Sequence, residues 1–204
     1  MSESDDERAT AAQRLEQLRA TAHPLRLRML SLLTGASMSA AEIARELGVT
    51  QANASYHLRL LERAGLVRMV EEVKLRGGIA RRFRHEGSSE PFAVAESTTT
   101  DEFADAHAHF IALLADAMRE RGTRRVPGPS VNTDAELWVA PEVWRKVVEQ
   151  VGEASALLHA SAMPPRTEGT VPVSMTTALF RVAGAEGTSA GADDGAADTT
   201  GSHR

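Results

Sequence analysis

The stretch AEIARELGVTQANASYHLRLLERAGLV, residues 41–67, decides the fold of this chain. Ile43 and Leu47 stand four residues apart, which is the spacing of neighbours on one side of a helix, and Gly48 then interrupts the pattern. Thr50 follows with a hydroxyl that can cap the start of a second helix by accepting a backbone hydrogen bond. The stretch therefore predicts two short helices joined by a tight turn.

The second of these helices has two different sides. Ala54, Leu58 and Leu61 form an apolar stripe, which indicates a contact with the core. Amide side chains pair with adenine and arginine pairs with guanine in the major groove, so a polar outer side predicts DNA reading. The alternative is an ordinary solvated helix surface. The candidate DNA-binding residues on or beside this side are Gln51, Asn53, Ser55, Tyr56 and Arg59.

Several motifs occur in a fixed order around this helix pair. They are HPLRLRML at 23–30, IARELGV at 43–49, Gln51, SxHL at 55–58 and LxxAGLV at 61–67. Together they resemble the ArsR (arsenic-repressor-like) family of bacterial winged helix-turn-helix regulators, over about residues 10–120. The resemblance implies a homodimer that represses transcription, and it makes His57 a DNA-binding residue that positions the backbone.

Residues 66–85 are predicted to form a β-hairpin. The runs 66–73 and 79–85 have strand character, and the paired glycines of the 74–78 segment suit a turn. Such a hairpin is the wing of a winged helix-turn-helix domain. We expect Arg76, Arg81 and Arg82 to contact phosphates or the minor groove. The alternative is a solvated strand face.

Two further helices are predicted on either side of this domain. Residues 10–22 place Leu15 and Leu18 on one stripe, after an acidic N-terminus at 1–9 that we expect to be disordered. Residues 101–121 carry apolar side chains at alternating spacings of three and four, which indicates a coiled-coil-like seam. The resemblance implies dimerisation through these helices; the alternative is burial within a monomer. The predicted dimer residues are Leu15, Leu18, Phe103, Phe110, Leu113 and Ala117.

The remaining chain is predicted to form a small α+β unit. Its apolar residues have a period of two before and after a helical stretch, and a Pro- and Gly-rich linker precedes it. The expected order is a linker at 122–133, a strand–helix–strand unit at 134–183 (strands 136–139 and 170–182, helix 141–162) and a disordered tail at 184–204.

This C-terminal unit is also where a small-molecule effector could bind. Its large apolar side chains can line a pocket, although such residues more often form a core or a dimer interface. The residues of this hypothetical effector pocket are Trp138, Trp144, Met175 and Phe180.

A metal site is not expected. The chain has no cysteine, and Ser39 and Ala41 stand where the resembling family has its metal-binding cysteines. Asp105 and His107 resemble half of a second family site, but Met118 and Arg121 occupy the other half, and zinc prefers four ligands. No cofactor is predicted.

Charge is unevenly distributed along the 204 residues. The net charge is −5, but residues 23–87 hold 11 Lys+Arg against 6 Asp+Glu. A basic module within an acidic chain predicts local attraction to phosphate. There is no run of 18 apolar residues, no secretory signal and no catalytic motif, so we expect a cytoplasmic, nucleoid-associated protein that is neither a membrane protein nor an enzyme.

The sequence thus predicts a mainly α-helical protein: a winged helix-turn-helix domain, a long dimerisation helix and a small C-terminal α+β unit. The predicted function is sequence-specific regulation of transcription by a homodimer on double-stranded DNA with an inverted-repeat operator, gated by a non-metal effector. The alternative is a winged-helix protein-interaction module without specific DNA binding.

Overall fold

Six helices and three strands make up the residues that the computed structural model describes, which are 3–75, 78–85 and 100–182. The fold is mainly helical, as predicted, with one small antiparallel sheet. In chain order the elements are α1 (Glu3–Thr21), α2 (Pro24–Gly35), β1 (Met38–Ser39), α3 (Ala40–Leu47), α4 (Gln51–Arg63), β2 (Arg68–Leu75), β3 (Gly78–Arg84), α5 (Asp101–Gly122) and α6 (Pro141–Ala160).

Side-chain caps fix the start of each helix in the helix-turn-helix pair. The Ser39 hydroxyl accepts from the Glu42 N–H at 3.4 Å, and the Glu42 carboxylate accepts from the Ser39 N–H at 2.7 Å, which completes a capping box at α3. Gly48 ends α3 with φ of +68°. Thr50 caps α4 by accepting from the Asn53 N–H at 3.2 Å. The predicted helix, turn and helix are confirmed.

The sheet has the order β1-β3-β2, with all neighbours antiparallel. Strands β2 and β3 form the predicted wing, and β1 pairs Met38 with Phe83 and Ser39 with Arg82. The short strand β1 follows α2, which ends at Gly35, by two residues and pairs with the central strand β3.

One apolar core lies beneath the helix-turn-helix pair. Met29 and Leu33 from α2, Ile43 from α3 and Leu61 from α4 are all 0% exposed, and Phe83 joins them from the wing. The predicted inner stripe of α4 is therefore confirmed. Burying a side chain of this size contributes roughly 1.5–3 kcal/mol, so the core fixes which side of α4 faces outward.

Helices α1 and α5 pack against each other beside this core. Arg19 of α1 forms an ion pair with Glu102 of α5, and Leu18 and Phe103 are buried. The prediction of disorder at 1–9 is wrong from Glu3 onward, since α1 begins there. Acidic residues are favoured in the first turns of a helix by the macrodipole, which explains the early start.

The predicted strands at 136–139 and 170–182 are wrong, and the C-terminal unit is not α+β. Neither segment pairs with any strand in the described part of the chain, and α6 is the regular element between them. A period of two describes a strand only when a neighbour completes its hydrogen bonds, and Pro172 lacks the N–H for such pairing. Residues 161–182 instead run in an irregular path across the winged domain.

Two predictions fall on residues outside the described ranges. They are the role of Arg76 at the wing turn and the disorder of the tail at 184–204. The long helix at 101–121 is confirmed as an element, and α6 ends two residues before the predicted position 162.

Candidate nucleic-acid interface

The outward side of α4 presents polar side chains to solvent. Gln51, Asn53 and Arg59 are exposed, Ser55 is half-buried and Tyr56 is 53% exposed. Within the described part of the chain, no ion pair engages the Arg59 guanidinium. Its five N–H donors are therefore available to a base edge or a phosphate.

Tyr56 is partly held in place from below. Its ring meets the His57 ring edge-on with 5.1 Å between the centroids, and its phenol lies close enough to Arg26 to raise the pKa of that guanidinium, against the larger lowering by burial. Arg26 itself donates to backbone carbonyls at the end of α1. The contacts with His57 and Arg26 thus hold the inner part of the Tyr56 side chain, and its exposed part lies on the outward side of α4.

His57 lies on the inner side of α4, so its prediction as a DNA contact is wrong. The side chain is only 6% exposed, and its ring centroid lies 4.6 Å from that of His23. Its Nδ1 is buried without a hydrogen-bond partner among the described residues. Burial, His23 and the positive charge of Arg26 all lower the pKa of His57, which favours the neutral ring.

His23 and Arg26 are the residues near this interface that the sequence analysis did not select. The Nδ1 atom of His23 accepts from the Leu25 N–H at 3.1 Å and so caps α2. Burial and the charge of Arg26 lower the pKa of His23 as well. Both residues belong to the HPLRLRML motif, which the sequence analysis used only for the family resemblance.

Arg82 makes several contacts within the protein, and its role as a DNA contact stays a prediction. Its guanidinium donates to the Ser37 carbonyl at 2.5 Å and forms ion pairs with Glu42 at 3.2 Å and Glu71 at 3.7 Å. Its side chain is 30% exposed. Arg82 therefore connects the wing to the start of α3, which sequence spacing could not reveal.

Glu42 receives several stabilising contacts at this junction. Burial alone would raise its pKa, but hydrogen bonds from the Ser39 N–H and hydroxyl and the charges of Arg82 and Arg45 lower the pKa overall. The Glu42 carboxylate therefore stays ionised, which its ion pair with Arg82 requires.

Arg81 differs from its neighbour because it lies on the solvent side of the wing. Its Nε donates to Glu72 at 3.1 Å, with both side chains substantially exposed. An exposed pair of this kind is weak and is exchanged readily for another partner. Arg81 can consequently bind a DNA phosphate.

The predicted dimer residues divide into two groups. Leu18 and Phe103 are already buried within a single chain, so neither is available to a partner. Four remain half-buried on α1 and α5, namely Leu15, Phe110, Leu113 and Ala117.

The residues of the hypothetical effector pocket are not enclosed together. Trp138 is 89% exposed, and Met175 and Phe180 are also exposed, while Trp144 is half-buried. The Phe180 ring lies 6.0 Å from that of His107 on α5. A different, open cleft of about 470 Å³ lies between α1 and α5 and includes Arg19, Asp105 and His109.

The described residues contain no group of three or more metal-ligating side chains that could hold a metal ion. Among the described helices, none has both the length and the apolar character needed to span a bilayer.

The packed helix pair, its outward polar side and the adjoining hairpin define a winged helix-turn-helix domain. A family model described as "Helix-turn-helix domain" matches residues 21–70, about a quarter of the 204-residue chain. The match extends from the end of α1 through α4 into β2. A helix-turn-helix domain indicates a DNA-binding regulator of transcription. No curated protein matches the chain.

Proposed function

We propose that this protein is a sequence-specific transcriptional regulator of the ArsR type, which acts as a homodimer and represses transcription from an inverted-repeat operator. The observation that carries the proposal is the outward side of α4. Its exposed hydrogen-bonding residues stand above a packed inner stripe, and they include the Arg59 guanidinium, which has no ion pair with any of the described residues. That arrangement suits a helix that enters the major groove.

The electrostatics support the same assignment. The basic excess lies within residues 23–87, which include α4 and the wing, whereas the rest of the chain is acidic. Acidic surroundings reduce attachment to DNA by any other surface. Arg59 and Arg81 then supply the attraction to phosphate at the domain itself.

Dimerisation follows from the symmetry of such operators. Two recognition helices one helical turn apart, about 34 Å, read the two halves of an inverted repeat. The half-buried apolar residues on α1 and α5 (Leu15, Phe110, Leu113 and Ala117) are the surfaces we assign to the partner subunit. Gating by a non-metal effector, a cytoplasmic location and the lack of enzymatic activity are further parts of the proposal.

Fluorescence anisotropy of the purified protein on DNA from upstream of its own gene tests the proposal. A scrambled duplex of equal length is the control, and each titration is repeated at three salt concentrations. We expect affinity for the upstream DNA at least ~10³-fold above the control, falling steeply as salt rises. Equally weak binding to both duplexes would mean that the operator lies elsewhere, and a genomic pull-down would then locate it. No binding at low salt would contradict the proposal.

A matched pair of variants separates specific contact from charge. Arg59→Ala and Arg145→Ala each remove one exposed arginine, the first from α4 and the second from the solvated side of α6. If α4 reads the operator, only Arg59→Ala relaxes the preference for operator over scrambled DNA.

A second candidate function is a winged-helix module that binds another protein. The observation that favours it is the exposed apolar surface along residues 137–158, which includes Trp138 and Leu157. This candidate predicts no salt-dependent DNA binding and an unchanged activity in Arg59→Ala.

A further inference from the structure

The chain after α6 crosses the winged domain and contacts three of its helices beyond the core. We name residues 161–180 the C-terminal strap. It passes from the end of α2 to α3 and then along α5. Its contacts are Met163 with Gly35, Arg166 with Glu46, Ser174 with Arg121, and Phe180 with His107.

The tightest of these contacts lies at Gly35, the last residue of α2. A Cβ built on Gly35 would lie 2.5 Å from the Met163 carbonyl oxygen and 3.0 Å from its carbonyl carbon. Both are backbone atoms, so a side chain at position 35 could be accommodated only by moving the strap or α2. Gly35 is helical, and the absence of a side chain there lets the strap approach.

The second contact lies at a turn of the strap that has an uncommon backbone conformation. Arg166 has φ of +64°, a left-handed value that non-glycine residues rarely adopt. Its guanidinium forms an ion pair with Glu46 of α3 at 2.5 Å. Hydrogen bonds from the Thr167 hydroxyl to the Pro164 carbonyl, 2.7 Å, and from the Thr170 hydroxyl to the Thr167 carbonyl, 2.6 Å, close the turn around it.

The contacts at Gly35 and Glu46 lie on α2 and α3, the two helices that position α4. Helix α2 supplies Met29 and Leu33 to the core beneath α4, and α3 packs directly on α4. We propose that the C-terminal strap is a regulatory link: when it is docked on Gly35 and Glu46 it holds α2 and α3 in the arrangement that presents α4 to DNA, and its release lowers DNA affinity. The proposal rests on the proposed DNA-binding function.

Linkage makes the proposal quantitative. If docking of the strap strengthens operator binding by some factor, then operator DNA must strengthen docking by the same factor. A strap that only adds stability would lack this reciprocity. A movement of α6 could then displace the strap and change DNA affinity, although α6 itself need not contact α4.

The test uses Gly35→Ala in the full chain, with Gly122→Ala as its control. Gly122 is likewise the last residue of a helix, but a Cβ there has nothing within 4 Å among the described residues. Trypsin cleavage after Arg166, followed by mass spectrometry, reports release of the strap. We expect cleavage to be about fivefold faster or more in Gly35→Ala and unchanged in Gly122→Ala.

The coupling is measured on the same samples. Operator affinity should fall in Gly35→Ala, by at most the factor by which operator DNA slows cleavage after Arg166 in the wild type. Glu46→Gln is the second variant if Gly35→Ala does not fold. It removes a negative charge, which by itself favours DNA binding, so weaker binding by Glu46→Gln together with faster cleavage after Arg166 would support the strap.

Two results would overturn the link. Wild-type cleavage rates in both Gly35→Ala and Glu46→Gln would contradict docking at these positions. Faster cleavage with unchanged operator affinity would make the strap merely structural. Failure of the wild type to bind DNA is a separate result, because it overturns the proposed function as well, whereas the first two leave wild-type binding intact.

Discussion

Arg59 on α4 and Arg82 on β3 are the same residue type in one basic domain, but their surroundings differ. Arg59 is exposed and has no ion-pair partner within the described residues, whereas Arg82 contacts Ser37, Glu42 and Glu71. The core beneath α4 fixes the direction of one side chain, and two carboxylates fix the other. An arginine is thus more available for recognition where no carboxylate of the protein already pairs with its guanidinium.

The same contrast exists between the two sides of α4. Its outer side carries mostly exposed polar residues, and its inner side carries Leu58 and Leu61, which are almost fully buried. The inner side should therefore control stability and the outer side recognition. The predictions that follow test this separation.

The largest effect is expected from the inner side. Leu61→Ala removes a side chain that is 0% exposed, and such truncations cost about 2–5 kcal/mol, because a cavity adds to the lost burial. Urea unfolding should give this decrease in the free energy of unfolding. A loss below about 1 kcal/mol would mean that α4 is not packed as described.

The next effect concerns recognition. Arg59→Ala and Tyr56→Ala should each weaken specific operator binding by about 1–3 kcal/mol, and neither should lower the melting temperature appreciably. Anisotropy titrations and thermal unfolding of the same preparations measure both quantities. Full operator affinity in both variants would contradict the assignment of the reading side.

Arg82→Ala should show the opposite pattern. It leaves Glu42 without its ion pair at the wing junction, which should cost about 1–2 kcal/mol of stability. Arg81→Ala is the matched control on the same strand, and because its pair with Glu72 is exposed the change should stay within about 0.5 kcal/mol. Equal destabilisation by Arg82→Ala and Arg81→Ala would contradict the structural role of Arg82 at the wing junction.

The smallest effect should be a dependence of stability on pH. Burial and the charge of Arg26 lower the pKa of both His23 and His57 in the folded protein. The unfolded chain takes up these protons near pH 6.5, whereas the folded chain resists them. The histidine contribution is therefore fully present above about pH 6.5 and is lost as the pH falls through the folded values.

Urea unfolding at three pH values between neutrality and mild acid checks this direction. His57→Phe replaces the buried ring by one that cannot titrate, so its profile should be flatter over that range. Glu42, whose pKa is also lowered, contributes only at more acidic pH. A wild-type protein that becomes more stable on acidification through this range would contradict the account.

The features that the sequence predicted correctly are those that depend on neighbouring residues. The cap at Thr50 and the turn at Gly48 each involve atoms within a few positions of one another. The apolar stripe of α4 has the period of a single helix. Such local rules determine where the helix pair begins, turns and faces.

The features that it missed depend on residues far apart in the chain. His57 is buried because His23 lies against it, and Arg82 is engaged because Ser37 and Glu42 lie beside β3. The alternating pattern at 170–182 predicted a strand, but no strand within residues 3–75, 78–85 and 100–182 pairs with it. The spacing of apolar residues shows which secondary structure a segment could form. The residues that pack against the segment decide which structure it does form.

The most direct test of the central claim is a parallel measurement of operator affinity for Arg59→Ala and Arg82→Ala, well below the melting temperature of either variant. The account predicts that Arg59→Ala loses about 5–150-fold in affinity, while Arg82→Ala stays within about threefold of the wild type. An equal loss in both folded variants, or none in Arg59→Ala, would contradict the claim that α4 reads DNA and that Arg82 belongs to the scaffold.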